Sequence, residues 1–203
     1  MNNNLIITIG REYGTGGREI GQKLALRLGI PFYDRELITR AAKKTGFDEK
    51  LFEQLDKRAT NSFLYSLTMF GSVGLNGMSL TDQLYLAQSN VIREMAEESS
   101  CVIVGRCADH VLRDFSNRFD FFIHGSIEDR VKRIQSCGDY EIEGKTPQAA
   151  LEKMDKQRST YYNYYTGKVW GKCDHYDLCI NAGRLGGEYS TDIILEYINR
   201  LKK

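Results

Sequence analysis

The chain has 203 residues, 41% of them hydrophobic, and a formal net charge of +1. That length and apolar content suit one packed domain, and the near-neutral balance argues against a nucleic-acid or membrane surface, where a basic excess is expected. No run of 18 apolar residues is present to span a membrane as a helix. The polar start Met1-Asn2-Asn3-Asn4 does not read as a signal peptide. Five cysteines without a Cys-x-x-Cys pair fit reduced cytoplasmic thiols rather than disulfides or a zinc site.

The first predicted element is a β-branched apolar run, Leu5-Ile6-Ile7-Thr8-Ile9, which reads as a buried strand. A glycine-rich turn follows, Gly10-Arg11-Glu12-Tyr13-Gly14-Thr15-Gly16-Gly17-Arg18-Glu19. Then Ile20, Leu24 and Leu28 recur four apart beside Ala25, as on one face of a helix. Strand, glycine turn and helix together point backbone N–H groups and a helix N-terminus at a phosphate, so the stretch reads as a nucleotide phosphate loop. It departs from the Gly-x-x-x-x-Gly-Lys-Ser/Thr pattern. In either alignment it has no lysine, and no Ser or Thr stands in the hydroxyl position. Arg18 is the first candidate for the missing cation and Arg11 the next. Glu19 offers a carboxylate to magnesium, an ion that prefers oxygen ligands, although the magnesium ligand itself is not identifiable.

Further along, Pro31-Phe32-Tyr33 reads as a short second strand, and residues 35–44 and 48–58 as helices. Residues 61–70 are aromatic and apolar, and residues 71–77 hold three glycines, as a loop does. Thr81 is expected to cap a helix running to Glu98, with Leu84, Ala87, Val91 and Met95 on one face. Cys101 to Val104 and Phe119 to His124 read as buried parallel strands. Ser126 caps a helix through Gln135, Thr146 to Tyr165 forms a long polar helix, Tyr176 to Ile180 a last strand, and Thr191 to Leu201 a last helix. Five strands separated by helices predict an α/β fold with a doubly wound parallel sheet and ligands at the strand C-termini.

Cations gather at those ends. Asp34 and Arg40 follow the second strand, Gly105-Arg106 the third, and Arg130, Lys132 and Arg133 the fourth. Lys153, Asp155, Lys156 and Arg158 lie on the long helix. Such a rim suits phosphoryl chemistry, which depends on positioning and charge neutralisation. His110, His124 and His175 have no metal-type spacing and read as structural.

Five segments resemble the cytidylate kinase-like proteins, a nucleoside monophosphate kinase branch of the P-loop NTPases. They are Ile7 to Glu19, Ile30 to Asp34, Val102 to Arg106, Met154 to Arg158 (continuing to Gly167) and Tyr176 to Asn181. The resemblance implies a three-layer α/β/α P-loop domain. Its core would be 1–34, 99–128 and 170–203, its NMP-binding helical segment 35–98 and its lid segment 129–169. It implies a kinase that transfers the γ-phosphoryl of ATP, with Mg2+, to a small acceptor, CMP or dCMP first. Gly14, Thr15, Gly16, Gly17, Arg18 and Glu19 would hold the donor. Asp34, Arg40 and Arg106 would hold the acceptor, and Arg130, Arg133, Asp155 and Arg158 would form the lid, with Arg18, Asp155 and Arg158 in catalytic roles. Glu36, Thr39, Cys107 and Leu151 depart from the family's usual residues. Two alternatives stay open: a non-catalytic nucleotide-binding protein on the same fold, and a short-chain dehydrogenase suggested by Gly10-x-x-x-Gly14-x-Gly16 with the pair Tyr164 and Lys168.

Overall fold

The computed structural model describes residues 3–34, 79–137 and 146–201. The expected elements at 35–44, 48–58, 61–70 and 71–77, and with them Arg40, lie outside the described residues. The described elements in chain order are β1 (Ile6–Arg11), α1 (Gly17–Leu28), β2 (Phe32–Tyr33), α2 (Leu80–Glu98), β3 (Cys101–Val104), α3 (Ala108–Val111), β4 (Arg118–His124), α4 (Ile127–Ser136), α5 (Pro147–Thr166), a 3-10 turn (Cys173–His175), β5 (Leu178–Asn181) and α6 (Ala182–Leu201).

The strands form one parallel sheet in the order β2-β3-β1-β4-β5. Alternation along β1 explains the layers. Ile7 and Ile9 face one way, with Val102, Val104, Phe121 and Ile123, and meet Ile20 and Leu24 of α1 and Ile194 and Ile198 of α6. Ile6 faces the other way, with Cys101 and Ile103, against Ile92 and Ala96 of α2 and Val111 and Leu112 around α3. Each fully buried aliphatic side chain contributes roughly 1.5–3 kcal/mol. The connection after β1 runs toward β2, and the one after β3 runs to β4 on the opposite side. The C-terminal ends of β1 and β3 therefore flank the crevice at which open α/β sheets bind ligands.

Several boundaries differ from the sequence reading, each for a local reason. β1 continues to Arg11 because Gly10 and Arg11 pair with Phe122 and Ile123 of β4. The helix expected to be capped by Thr81 is capped by Ser79, whose Oγ accepts from the Asp82 N–H at 3.1 Å. β5 starts at Leu178 rather than Tyr176. The last helix begins at Ala182 and is broken at Gly186 (φ 74°), so a first turn precedes the expected one. The short α3 was not foreseen. Ser126 caps α4 as expected, accepting from the Asp129 N–H, and Thr146, expected as the first residue of the long helix, stands as its N-cap and accepts from the Ala149 N–H. All five cysteines are free thiols. No helix among the described residues is long and apolar enough to cross a membrane.

Candidate active site

Gly14 (φ 80°) and Gly16 (φ 79°) take the left-handed conformation that side chains resist. Gly16 is the N-cap of α1 and supplies no side-chain acceptor. The first N–H groups of α1 are therefore not capped by that residue, the arrangement that favours an anion.

This turn is roofed by α4 and α5. A Cβ on Gly14 would stand 2.9 Å from Leu151 Cδ2 and 3.0 Å from Ile134 Cγ2, and one on Gly16 would stand 2.8 Å from Arg133 Cζ. Polar clamps hold the roof. Asp155 Oδ1 accepts from the Tyr13 N–H at 2.7 Å, while Arg130 ion-pairs with Asp155 and donates to the Tyr13 carbonyl at 3.2 Å. Arg158 donates to the Arg11 carbonyl at 3.0 Å and lies 5.2 Å from the centroid of the Tyr13 ring. Arg133 ion-pairs with Glu19, which also meets Lys23 at 3.0 Å. The Lys23 hydrogen bond, seconded by Arg133, holds the Glu19 carboxyl below its ordinary range. The four expected lid residues thus gather on the glycine turn, and they do so largely through its backbone.

Arg18 and Asp34, assigned by sequence to opposite sides of the reaction, form one ion pair at 2.7 Å. Asp34 is buried in that pair and the Arg18 side chain is 58% exposed; neither lines the cavity described next. Lys132, Lys153 and Lys156 are exposed.

The cavity, about 800 Å³ with its open mouth, lies at the C-terminal ends of β1 and β3 and under α5. Three arginines reach its lining from separate elements: Arg11 from β1, Arg106 after β3 and Arg158 from α5. Arg106 stands on an unusual turn. Gly105 (φ 79°), Arg106 (φ 58°) and Cys107 (φ 55°) are left-handed in succession. The two residues with side chains cost on the order of 1–3 kcal/mol each, a strain that tends to mark functional positions. Arg106 is buried, with its guanidinium 5.8 Å from the centroid of the Tyr161 ring.

Asp109 is the cavity's single acidic lining residue among those described, and it is buried. The Tyr162 hydroxyl donates to its Oδ2 at 2.6 Å, and the Tyr176 hydroxyl neighbours that of Tyr162. Burial first, then Asp109, pushes both phenols above their usual range. Trp170 joins Tyr161, Tyr162 and Tyr176 in an aromatic wall. On the floor, the Thr8 hydroxyl donates to Asp120 at 2.6 Å, and Arg118 donates to both Asp120 oxygens. Burial nevertheless pushes Asp120 up to about 6. Asp109 has no signal in the sequence, because it lies on the short α3, and neither have the hydrogen-bonding positions of Tyr162 and Tyr176. The tyrosines after Arg158 carried a signal only as part of the family segment.

Among the described residues no group of three or more His, Cys, Asp or Glu side chains could hold a metal ion. Glu19 and Asp155 are engaged by cations. These residues suit magnesium only as an ion carried chiefly by phosphate oxygens and water, a common mode for that ion. The dehydrogenase pair is separated, since α5 ends at Thr166 and Gly167 (φ 68°) caps it before Lys168.

A parallel five-stranded α/β sheet with a glycine turn after its central strand is the fold of the P-loop kinases. Shikimate kinase from Bacteroides thetaiotaomicron aligns with a TM-score of 0.56 and 15% identity, over 96% of this chain and 98% of that one. Shikimate kinase from Acinetobacter baumannii, solved in complex with shikimate, gives 0.56 and 15% over 98% and 94%. An uncharacterized protein from Eubacterium ventriosum ATCC 27560 is nearer, with 33% identity and a TM-score of 0.73 over 97% of this chain and 99% of that one. No curated protein matches the chain. The model of the cytidylate kinase-like family matches residues 6–184, and the chain belongs to that family.

Proposed function

We propose that the protein transfers the γ-phosphoryl group of ATP to a small anionic acceptor held in the cavity, with CMP or dCMP first among the candidates. One observation carries this reading: Arg11, Arg106 and Arg158 converge from three elements on one cavity beside a glycine turn. An arginine fork holds phosphate bidentately, and a monophosphate acceptor needs cations facing the donor. The backbone of Gly14, Thr15, Gly16 and Gly17 and the N-terminus of α1 would cradle the donor phosphates, with Arg133 leaving Gly16 to admit them. Arg130, Asp155 and Arg158 would hold the roof to the turn and exclude water from the transfer. Arg106, joined by Arg40, would take the acceptor phosphate. The aromatic wall offers a surface to a base, and Asp109 offers a carboxylate to a hydrogen-bond donor such as the exocyclic amine of cytosine. Magnesium, bound with the donor, would neutralise phosphate charge.

One observation favours a second reading. The turn lacks a lysine and is roofed by Leu151 and Ile134, as suits a nucleotide-binding relative without turnover. The deciding experiment incubates the protein with MgATP and a panel of nucleoside monophosphates, shikimate and gluconate, and measures ADP. The kinase reading predicts ADP formation that depends on one class of acceptor. ATP binding without acceptor-dependent ADP supports the second reading, and binding of NADH but not ATP contradicts both.

A further inference from the structure

The structure assigns Arg11 as the cation that replaces the missing loop lysine and bridges the donor turn to the acceptor cavity, an inference that rests on the kinase reading above. The first observation is a passage made by two glycines. The Arg11 side chain leaves β1 against Gly17, where an added Cβ would lie 2.7 Å from Arg11 Cβ and 3.0 Å from its Cγ. It ends against Gly105, where an added Cβ would lie 2.2 Å from Nη1 and 3.2 Å from Cζ. The side chain therefore runs from the N-terminus of α1 to the end of β3, with its guanidinium at Gly105.

Gly17 shows why this placement is specific. It is the first residue of α1 and is not among the positive-φ glycines. Its backbone conformation does not require glycine, and alanine is the better helix former. What a side chain at that position would meet is Arg11.

The second observation is where the charge arrives. Arg11 lines the cavity with Arg106 and Arg158, and its own carbonyl is fixed by Arg158. Its backbone opens the glycine turn. A group moving from a donor on the turn to an acceptor in the cavity would pass this guanidinium. In that transfer the acceptor's oxygen forms the new bond to the γ-phosphorus of ATP, the bond from that phosphorus to the bridging oxygen breaks, and ADP leaves with the electron pair. A fixed cation between the two sites neutralises charge on the moving group without having to reorganise. Arg18, the other candidate, is engaged by buried Asp34 and does not line the cavity.

The test compares wild type with Arg11→Gln, Arg11→Lys, Gly17→Ala and Arg18→Gln. Binding is read by calorimetric titration of MgATP, and turnover by ADP release with the best acceptor. Arg11→Gln removes the charge and shortens the side chain by two atoms while keeping it polar, and Arg11→Lys keeps the charge without the guanidinium fork. Arg11→Gln is expected to weaken MgATP by about tenfold or more, the scale of one hydrogen bond to a charged group. It is also expected to lower kcat by about 100-fold, the scale of one preorganised donor. Arg11→Lys recovers part of both losses. Gly17→Ala displaces the guanidinium and moves both readouts in the same direction, although it favours the helix, so a folding defect in Arg11→Gln alone does not decide the outcome. Arg18→Gln has the smaller effect. Wild-type binding and turnover in Arg11→Gln and Gly17→Ala, or a larger loss in Arg18→Gln, overturn the assignment while leaving the kinase reading standing. Failure of wild type itself to bind MgATP overturns both.

Discussion

The two turns that follow β1 and β3 stand side by side and are built in opposite ways. The turn after β1 uses glycine at its left-handed positions, Gly14 and Gly16, and is covered by Leu151, Ile134 and Arg133 from α4 and α5. The turn after β3 forces two residues with side chains, Arg106 and Cys107, into the same conformation, and Arg106 faces a cavity. Glycine removes strain where the backbone itself must approach something closely. Strain is retained where a particular side chain must be aimed. On the proposed function the first turn would act through its main chain and the second through one guanidinium, so substitutions should act on stability at the first and on the acceptor at the second.

The largest expected effect tests the second turn. Arg106→Ala should lower kcat/KM for the acceptor by about 10²–10³-fold, chiefly through the acceptor KM, with ATP affinity nearly intact. Steady-state kinetics with each substrate varied in turn checks this. A loss shared equally by ATP would mean that the two turns are not functionally distinct.

Next comes the first turn. Gly14→Ala adds a methyl group at a left-handed position and 2.9 Å from Leu151. Strain and overpacking together should cost about 2–4 kcal/mol of stability. Urea unfolding measures it, and a neutral result would mean that the roof does not hold the turn as described.

A smaller effect concerns Asp120, which accepts from Thr8 beneath the cavity. Asp120 is pushed up to about 6 by burial, against an ordinary value of 3.8, so the folded state favours its protonated form. The stability this contributes is present below about pH 4 and is lost as pH rises through about 6. Integrated over that window it is on the order of 1–3 kcal/mol. The unfolding free energy of wild type from urea titration, compared with that of Asp120→Asn, should fall by this much between about pH 4 and pH 7. Parallel profiles would remove the assignment.

Much of the fold was legible because it rests on local signals. Cys101 to Val104 announced a doubly buried strand, Ser126 and Thr146 announced helix starts, and the glycine cluster announced the turn. What escaped depended on contacts between distant residues. β1 runs two residues further because β4 lies beside it. Arg18 lies nearest the missing lysine's place in sequence, yet it goes to Asp34, and a carboxylate sixteen residues away is invisible to spacing. Arg106 was legible as a cation after a buried strand and a glycine. Asp109 was not, because α3 is a four-residue helix without periodicity and Tyr162 reaches it from 53 residues away. The lid arginines were legible as a group. That Arg130 and Arg158 hold the turn by its carbonyl groups, and Arg133 by Glu19, could be seen only in three dimensions.

On the proposed function, donor and acceptor occupy two distinct places, the roofed turn and the arginine cavity. Calorimetric titration of CMP into the protein saturated with a non-hydrolysable ATP analogue and Mg2+ tests it most directly. CMP should bind at one per chain in the presence of the analogue, and that binding should be lost in Arg106→Ala while the analogue still binds. Competition between CMP and the analogue for one site, or CMP binding indifferent to Arg106, would contradict it.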